Sequence, residues 1–570
     1  MKNQRRLIIV AAFLFALIYC PTIAVAHAVA HPATCAQLTS LPPLAGNPDV
    51  KSATSAIIPA SSPNVSYCQV NILYGTNPNQ NINIRVGLPL NLLDGGSGGS
   101  VQGAWNGRTQ GVGGAGCSGT LTVTGPVNAG YVGSGTDTGH SGGDCTPGVN
   151  VDGTYNYQFI NDFIRNGIKE QVLFMKSVAE SYYGMKPLYN YWNGCSTGGR
   201  QGYLLAQELG MELDGILADA PAIYWTRFQT AQMWGQIVML DLVGAPIAPA
   251  KFTQTTASAV AACDANDGVI DGVIDDPRTC KWSATANICG APTAPATNCL
   301  TPAEAEAIDM IWDGPRNADA NKIWFGLDRG TALGSLNGTT PFSLGVIQFE
   351  WDEHNRNFDW DTVTITEYPQ VAQDGSRNIA DVTDTFGDLD TFRKSGGKML
   401  TYVGANDQLI MPRGVINYYR QMASRYEHWQ DYGSCPSPGD GDNVDFRHVQ
   451  QFYRLFRVPG IGHCGLSATA STAVFDALIN WVENGVAPDQ IDVTITISGS
   501  VLGRRLCPYP QWAIYDTTCG DTTNASCYHC GGNLETIPTV CDDVLVKYKH
   551  EVNGPLDYHG TGVNRFECSH

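Results

Sequence analysis

The chain has 570 residues, more than one hydrophobic core usually holds, so two domains are expected. Hydrophobic residues make up 43%, too many for a disordered chain, and the 63 glycines and 31 prolines follow no period, which excludes a fibrous protein. A formal charge of −19 repels phosphate backbones and speaks against nucleic acid as a partner.

At the N-terminus Lys2, Arg5 and Arg6 precede an apolar run from Leu7 to Tyr19, and Ala24-Val25-Ala26 follows before His27. A basic start, a short apolar run and a small-x-small site make residues 1–26 a secretory signal. The run is short for a bilayer span, and no later stretch is long enough for one, so no membrane span is expected after cleavage. Eighteen cysteines agree with export to the periplasm or the medium. Losing Cys20 with the signal leaves an odd number, so at least one thiol is unpaired or bridges two chains. Asn64, Asn337 and Asn524 head N-x-S/T sequons.

Residues 27–221 read as the first part of a catalytic α/β domain. Pro187–Trp192 is a short aromatic run stopped by Asn193-Gly194, as buried strands of an α/β sheet tend to be. Gly194-Cys195-Ser196-Thr197-Gly198 then matches G-x-S-x-G, and a helical pattern starts at Gly199. The small flanking residues allow the sharp turn that exposes a serine hydroxyl, and the Thr197 N–H at the helix start can meet a developing oxyanion. The bland alternative is a glycine-rich turn with a solvated serine. Cys195 as the nucleophile of a cysteine hydrolase is a further alternative, disfavoured because the turn presents the serine and export favours oxidised cysteine.

Residues 222–385 differ in character. They are rich in Asp, Asn, Thr and Ala, carry Cys263, Cys280, Cys289 and Cys299, and read as a large lid domain inserted into the scaffold. Within them CDANDGVIDGVIDD sets the carboxylates of Asp264, Asp267 and Asp271 at short intervals. Gly268 and Gly272 provide tight turns, and carbonyls of Val269 and Val273 are available between them. Hard oxygen donors with no nearby His or Cys ligand suit Ca²⁺; a solvated acidic loop is the alternative. Cys263 and Cys280 flank the loop and are expected to close it. Trp312, Trp324, Phe325, Phe349 and Trp351 are candidates for an aromatic acyl pocket or, equally, for lid core.

Residues 386–570 complete the catalytic domain. Lys398–Val403 and Gln451–Val458 read as two more strands of the sheet. Asp407 follows the first and His463 the second, the chain order Ser, acid, His that a serine hydrolase of this fold requires. Cys195 precedes the serine and Cys464 follows the histidine. If the two catalytic groups meet, these neighbours are within disulfide reach. The tail beyond Gly499 holds six cysteines and reads as a stapled extension too small for its own core.

These segments resemble the tannase and feruloyl esterase family. The resemblance rests on GCSTGGRQG, FYRLFRVPGIGHCG and the cysteines beside Ser and His. Further matches are AWNGRTQGVGGAGCSG (104–119), GTDTGHSGG (135–143), YVGANDQLIMPRGVINYY (402–419) and RRLCPYPQWAIY (504–515). It implies an α/β-hydrolase fold with a lid and hydrolysis of aromatic-acid esters of feruloyl, galloyl or terephthalate-monoester type. It implies a Ser196–His463–Asp407 triad braced by Cys195–Cys464, and an oxyanion hole from Thr197 and Gly116. It also implies a structural calcium on Asp264, Asp267, Val269, Asp271 and Val273, away from the triad in sequence. By the same likeness Cys35 pairs with Cys68, Cys289 with Cys299 and Cys507 with Cys527. The chain departs from the family pattern at Cys117 and Ser118, where a Cys117–Cys145 bridge becomes available, and Cys435 is the candidate free thiol. The rival reading is a secreted protein that binds an aromatic or glycan ligand on an inactive esterase fold, for which an intact triad has no use.

Overall fold

A computed structural model describes residues 31–98, 103–378, 388–427, 444–497 and 499–534. The signal segment, Cys20, Cys435, Cys541 and Cys568 lie outside the described residues. The scaffold is a nine-stranded sheet: β1 (Val50–Ile58), β2 (Tyr67–Tyr74), β3 (Ile82–Pro89), β4 (Arg108–Val112), β5 (Val132–Thr136), β6 (Tyr189–Cys195), β7 (Gly215–Asp219), β8 (Lys398–Gly404) and β9 (Tyr453–Val458). Their spatial order is β1-β2-β3-β5-β4-β6-β7-β8-β9. The first three strands form an antiparallel meander on β5, and every pair from β5 to β9 is parallel. That mostly parallel, helix-covered sheet is the α/β-hydrolase fold.

The strand read from the sequence as ending at Trp192 continues to Cys195. It does so because both neighbours pair with it that far: Val112 opposes Asn193, and Asp219 opposes Cys195. Side chains alternate across the sheet as the pleat demands. Tyr191, Leu217, Leu400, Tyr402 and Phe456 pack on the helix Ala468–Asn484 through Val474, Phe475, Leu478 and Trp481. Trp192, Ile216 and Ala218 face the other way, onto Tyr203 and Leu204 of the helix Thr197–Glu208, here α1.

Between β7 and β8 the chain inserts the segment read from the sequence as the lid, with helices at Trp225–Ala231, Trp234–Val243, Pro249–Cys263, Pro302–Asp313, Ser343–Asp352 (α2) and Tyr368–Asn378. Trp312, Trp324, Phe325, Phe349 and Trp351 are each no more than 2% exposed and belong to the same apolar cluster as Trp192 and Tyr203. The five aromatics therefore fill core, and the lid shares one core with the sheet.

Seven disulfides take up every cysteine among the described residues. Cys35–Cys68, Cys117–Cys145, Cys195–Cys464, Cys263–Cys280 and Cys289–Cys299 are among them. One expectation is corrected: Cys507 pairs with Cys530, and Cys527 with Cys519. The reason is local. The strands β10 (Trp512–Tyr515) and β11 (Tyr528–Gly531) form a hairpin, and successive side chains of a strand leave on opposite faces. Cys530 reaches inward to Cys507, while Cys527 just before the strand closes the hairpin loop on Cys519. Asn337 is also corrected as a glycan acceptor: it is 1% exposed and its amide donates to Leu333 O at 2.8 Å.

Candidate active site

Ser196 sits between β6 and α1 with φ +62° and ψ −122°, a conformation that costs a non-glycine residue free energy and has the strained strand-to-helix geometry expected of a nucleophile elbow. Three glycines make the turn possible by letting backbones meet. A Cβ on Gly194 would lie 2.6 Å from the Gly198 carbonyl carbon, and one on Gly113 would lie 2.4 Å from Gly198 Cα. A third on Gly199 would lie 2.5 Å from Asp219 O. The Ser196 N–H donates to Asp219 O at 2.9 Å, and its carbonyl accepts from Arg200 and Ala222. The helix behind it leaves the Thr197 N–H without an intrahelical acceptor, free for a ligand oxygen.

His463 follows β9. Its Nδ1 lies 2.7 Å from Asp407 Oδ2, and its backbone N–H donates to Gln408 Oε1 at 2.9 Å. Asp407 follows β8, is 2% exposed, and turns its second oxygen to the N–H groups of Leu409 (2.9 Å) and Ile410 (2.8 Å). With both oxygens engaged the carboxylate cannot rotate, so the imidazole ring is held with Nδ1 toward Asp407 and Nε2 outward. The disulfide Cys195–Cys464, Cα atoms 6.0 Å apart, joins the residue before Ser196 to the residue after His463.

Upstream, Ala115–Ser118 forms a tight turn closed by Ala115 N–H to Ser118 O (3.0 Å) and Ser118 N–H to Ala115 O (3.1 Å). Gly116, with φ +56°, stands at its tip, and its carbonyl accepts from the Thr197 hydroxyl at 2.6 Å. Cys117 is tied to Cys145, and its carbonyl lies 2.7 Å from His140 Nε2. His140 was not singled out in the sequence, although it lies inside the quoted segment GTDTGHSGG. Leu344 at the start of α2 closes over the turn, 3.8 Å from where a Gly116 Cβ would be.

One buried acid next to the elbow joins this network only through its backbone carbonyl. Asp219 ends β7, is 3% exposed, and its Oδ1 has no hydrogen-bond partner among the described residues. Burial pushes its carboxyl well above the ordinary carboxylate range.

Residues 100–531 match the family described as tannase and feruloyl esterase. The chain belongs to that family. It is 33% identical over 504 residues to a probable feruloyl esterase of Arthroderma benhamiae, covering 82% of this chain and 87% of that protein. It is 30% identical to an uncharacterized esterase of Xanthomonas campestris pv. campestris, covering 68% and 73%. Among solved structures it is similar to a tannin acyl hydrolase from Aspergillus niger (TM-score 0.72, 24% identity, 89% and 97% of the two chains). It is also similar to feruloyl esterase B from Aspergillus oryzae (TM-score 0.70, 23% identity, 85% and 97%). As a member of this family the protein is a carboxylic ester hydrolase acting on a small-molecule ester. No helix among the described residues is long and apolar enough to cross a membrane.

The acidic loop of the inserted segment is packed closer to His463 than its place in the sequence suggests. Val273 Cγ2 lies 3.1 Å from where a Cβ on Gly460 would be, and Gly460 is three residues before His463. Asp276 is bonded to Arg278 (2.8 Å) and approached at 3.8 Å by Arg457 of β9. Burial opposes its ionisation, but the two guanidiniums hold its pKa at about 2. Within the loop, Asp264 accepts the N–H groups of Asp271, Gly272 and Val273 at 3.0–3.2 Å. Asp271 is ion-paired with Arg504. Asp267 is pushed up to about 6, first by burial and then by repulsion from Asp271 and Asp264. No three His, Cys, Asp or Glu side chains among the described residues converge with metal-ligand spacing. Asp264 is buried, Asp271 half-buried and Asp267 exposed, and these oxygen donors have the chemistry that suits a hard cation, although Arg504 already balances Asp271.

Proposed function

We propose that the protein is an exported serine esterase that cleaves esters of aromatic acids through an acyl-enzyme. The observation that carries the mechanism is the His463–Asp407 contact of 2.7 Å, disulfide-braced against a strained Ser196 elbow. In this reading His463 Nε2 takes the Ser196 proton as Oγ attacks the ester carbonyl. Asp407 keeps the Nδ1–H tautomer and stabilises the imidazolium. The N–H groups of Thr197 and Gly116 receive the oxyanion, worth roughly 10²–10³ in rate per donor. His463 then returns the proton to the leaving alcohol, and a second passage with water frees the acid.

The aromatic acid side is supported by the names of the relatives, feruloyl esterases and a tannin acyl hydrolase. Export is supported by the signal-like residues 1–26 and by seven disulfides, which persist in oxidising compartments. A Ca²⁺ ion on Asp264, Asp267, Asp271 and the carbonyls of Val269 and Val273 belongs to the same reading. When bound it neutralises the loop's carboxylates and stiffens the segment that touches Gly460.

The test is hydrolysis of methyl ferulate, methyl gallate and mono(hydroxyethyl) terephthalate by the protein and by Ser196→Ala. Turnover of one or more, abolished in the variant, supports both nucleophile and acyl class. Tight binding of these esters by the oxidised protein with no turnover would sink the mechanism in favour of a binding role.

A further inference from the structure

The upstream turn does more than present one glycine. Two of its three peptide groups are linked in series, and the third is held from outside by the Thr197 hydroxyl. In a trans peptide the C=O and the following N–H point in opposite directions, so a bond at one end fixes the direction of the other. The peptide joining Cys117 and Ser118 accepts from His140 Nε2 at its carbonyl (2.7 Å) and donates its N–H to Ala115 O (3.1 Å). The peptide joining Ala115 and Gly116 receives that bond at its carbonyl, so its own N–H, that of Gly116, points out of the turn. The Thr197 hydroxyl bonds the peptide between them at Gly116 O (2.6 Å) and sets the turn beside the first residue after the nucleophile.

We propose that His140 is the positioning residue of the oxyanion hole, the far end of a chain of dipoles that runs His140 N–H, Cys117–Ser118 peptide, Ala115–Gly116 peptide and ends on the Gly116 N–H. This inference rests on the reading of Ser196 as the nucleophile and of Gly116 as an oxyanion donor. A carbonyl oxygen can only accept, so Nε2 carries the proton. Every dipole in the chain then points its positive end toward the oxyanion, and hydrogen bonds in series polarise one another. The histidine is held for this task. Its ring packs on Phe159 (centroids 4.7 Å apart) and edge-on to Phe163 (5.6 Å). Its Nδ1 is buried without a hydrogen-bond partner among the described residues, so the ring's single bond from a nitrogen to backbone goes to the turn. The Cys117–Cys145 bridge holds the accepting residue in place from the other side. Without the His140 bond the Cys117–Ser118 peptide can rotate. Rotation takes the Ser118 N–H off Ala115 O and leaves that carbonyl to the Ser118 hydroxyl alone (2.8 Å), so the Gly116 N–H is less firmly aimed.

Two substitutions separate the donor from the ring. His140→Phe keeps an aromatic ring against Phe159 and Phe163 and removes the N–H. His140→Gln removes the ring and keeps an N–H at the same reach. With methyl ferulate, His140→Phe is expected to lower kcat by about ten- to a hundredfold, less than outright loss of an oxyanion donor, with KM within about twofold. His140→Gln is expected to recover most of that loss. A packing role predicts the reverse order. A loss below tenfold in His140→Phe, or a His140→Gln variant no better than it, overturns the proposal. Should His140→Phe not fold, His140→Leu, which also lacks the donor, takes its place with the same outcomes. Ser196→Ala run alongside keeps the two readings apart. If it retains turnover, the nucleophile assignment fails. If it is inert while His140→Phe keeps wild-type kcat, only the positioning role fails.

Discussion

Cys195 and Cys464 are 269 residues apart in sequence and joined by a disulfide with Cα atoms 6.0 Å apart, one immediately before the candidate nucleophile and one immediately after the candidate base. Position and chemistry are thus tied by one covalent bond across the two loops that must meet. The bridge also closes the longest loop of the seven, so the chain-entropy model gives it the largest share of disulfide stabilisation, up to about 5 kcal/mol.

Replacing both cysteines by alanine is therefore expected to cost two things at once. Stability should fall by about 2–5 kcal/mol, read as a lower melting temperature or urea midpoint. At a temperature where the variant is still folded, kcat should fall while KM moves little, because the Ser196–His463 approach loosens and the substrate pocket does not. A variant that loses stability but keeps full kcat would show the bridge to be a staple with no part in alignment.

Asp407→Asn tests the orienting acid. The two backbone N–H groups of Leu409 and Ile410 demand an oxygen at one side-chain position, so the amide nitrogen of Asn is driven toward His463. That nitrogen donates where Asp407 accepts, which favours the tautomer with the proton on Nε2, unable to take one from Ser196. The expected loss is roughly 10³–10⁴ in kcat with little change in KM or melting temperature. A loss of less than tenfold would mean that another group orients the imidazole.

The chemistry of the site was more legible in the sequence than its setting. Ser196, Asp407 and His463 each follow a short apolar strand stopped by glycine, and both strand and stop can be read from residue type. β5 could not be read that way. Its sequence VGSGT has no apolar run, and it is a fully buried strand because Gly133 and Gly135 let Val123, Pro126 and Thr120 pack directly on the backbone. The lid aromatics could not be placed either, since a buried tryptophan and a pocket-lining one have the same composition signal. The nearness of Val273 to Gly460 was invisible for a different reason: chain separation carries no information about contacts made through an inserted lid. His140 was hidden because a lone histidine has no periodicity, and its role depends on a backbone carbonyl that sequence does not display.

Asp219 supplies a pH prediction. Its folded-state pKa is raised by burial, so the folded chain keeps a proton that the unfolded chain releases near pH 4. Stability from this group is accordingly lost as pH rises above about 4, by at most about 1.4 kcal/mol per pH unit until the folded carboxyl ionises. Asparagine fills the same space and does not titrate. The stability of Asp219→Asn relative to the parent should grow between pH 4 and pH 8, measured by urea unfolding at matched ionic strength. A difference that stays flat across that range would show that the carboxylate has a compensating partner.

The acidic lid loop makes the last prediction, on metal removal. A calcium ion held by the loop would compete with protons for Asp267, held up to about 6, which interacts with Asp275, itself pushed up to about 7 by burial and by Asp267. Both shifts are upward, so a chelated protein is stable with these groups protonated and loses stability as pH rises through about 4 to 7. Excess EDTA should therefore lower the melting temperature slightly at pH 5 and clearly at pH 8, with calcium and not magnesium restoring it. Asp264→Ala, which frees the loop's three N–H donors, should abolish the difference between EDTA and calcium. The packing of Val273 on Gly460 adds a functional arm, because a loosened loop no longer supports the turn that carries His463. At pH 8 and a temperature well below unfolding, chelation should reduce kcat several-fold with unchanged far-ultraviolet circular dichroism. If melting temperature and kcat are both indifferent to EDTA at pH 8, the loop is held by Arg504 and its own backbone bonds, and the calcium assignment is wrong.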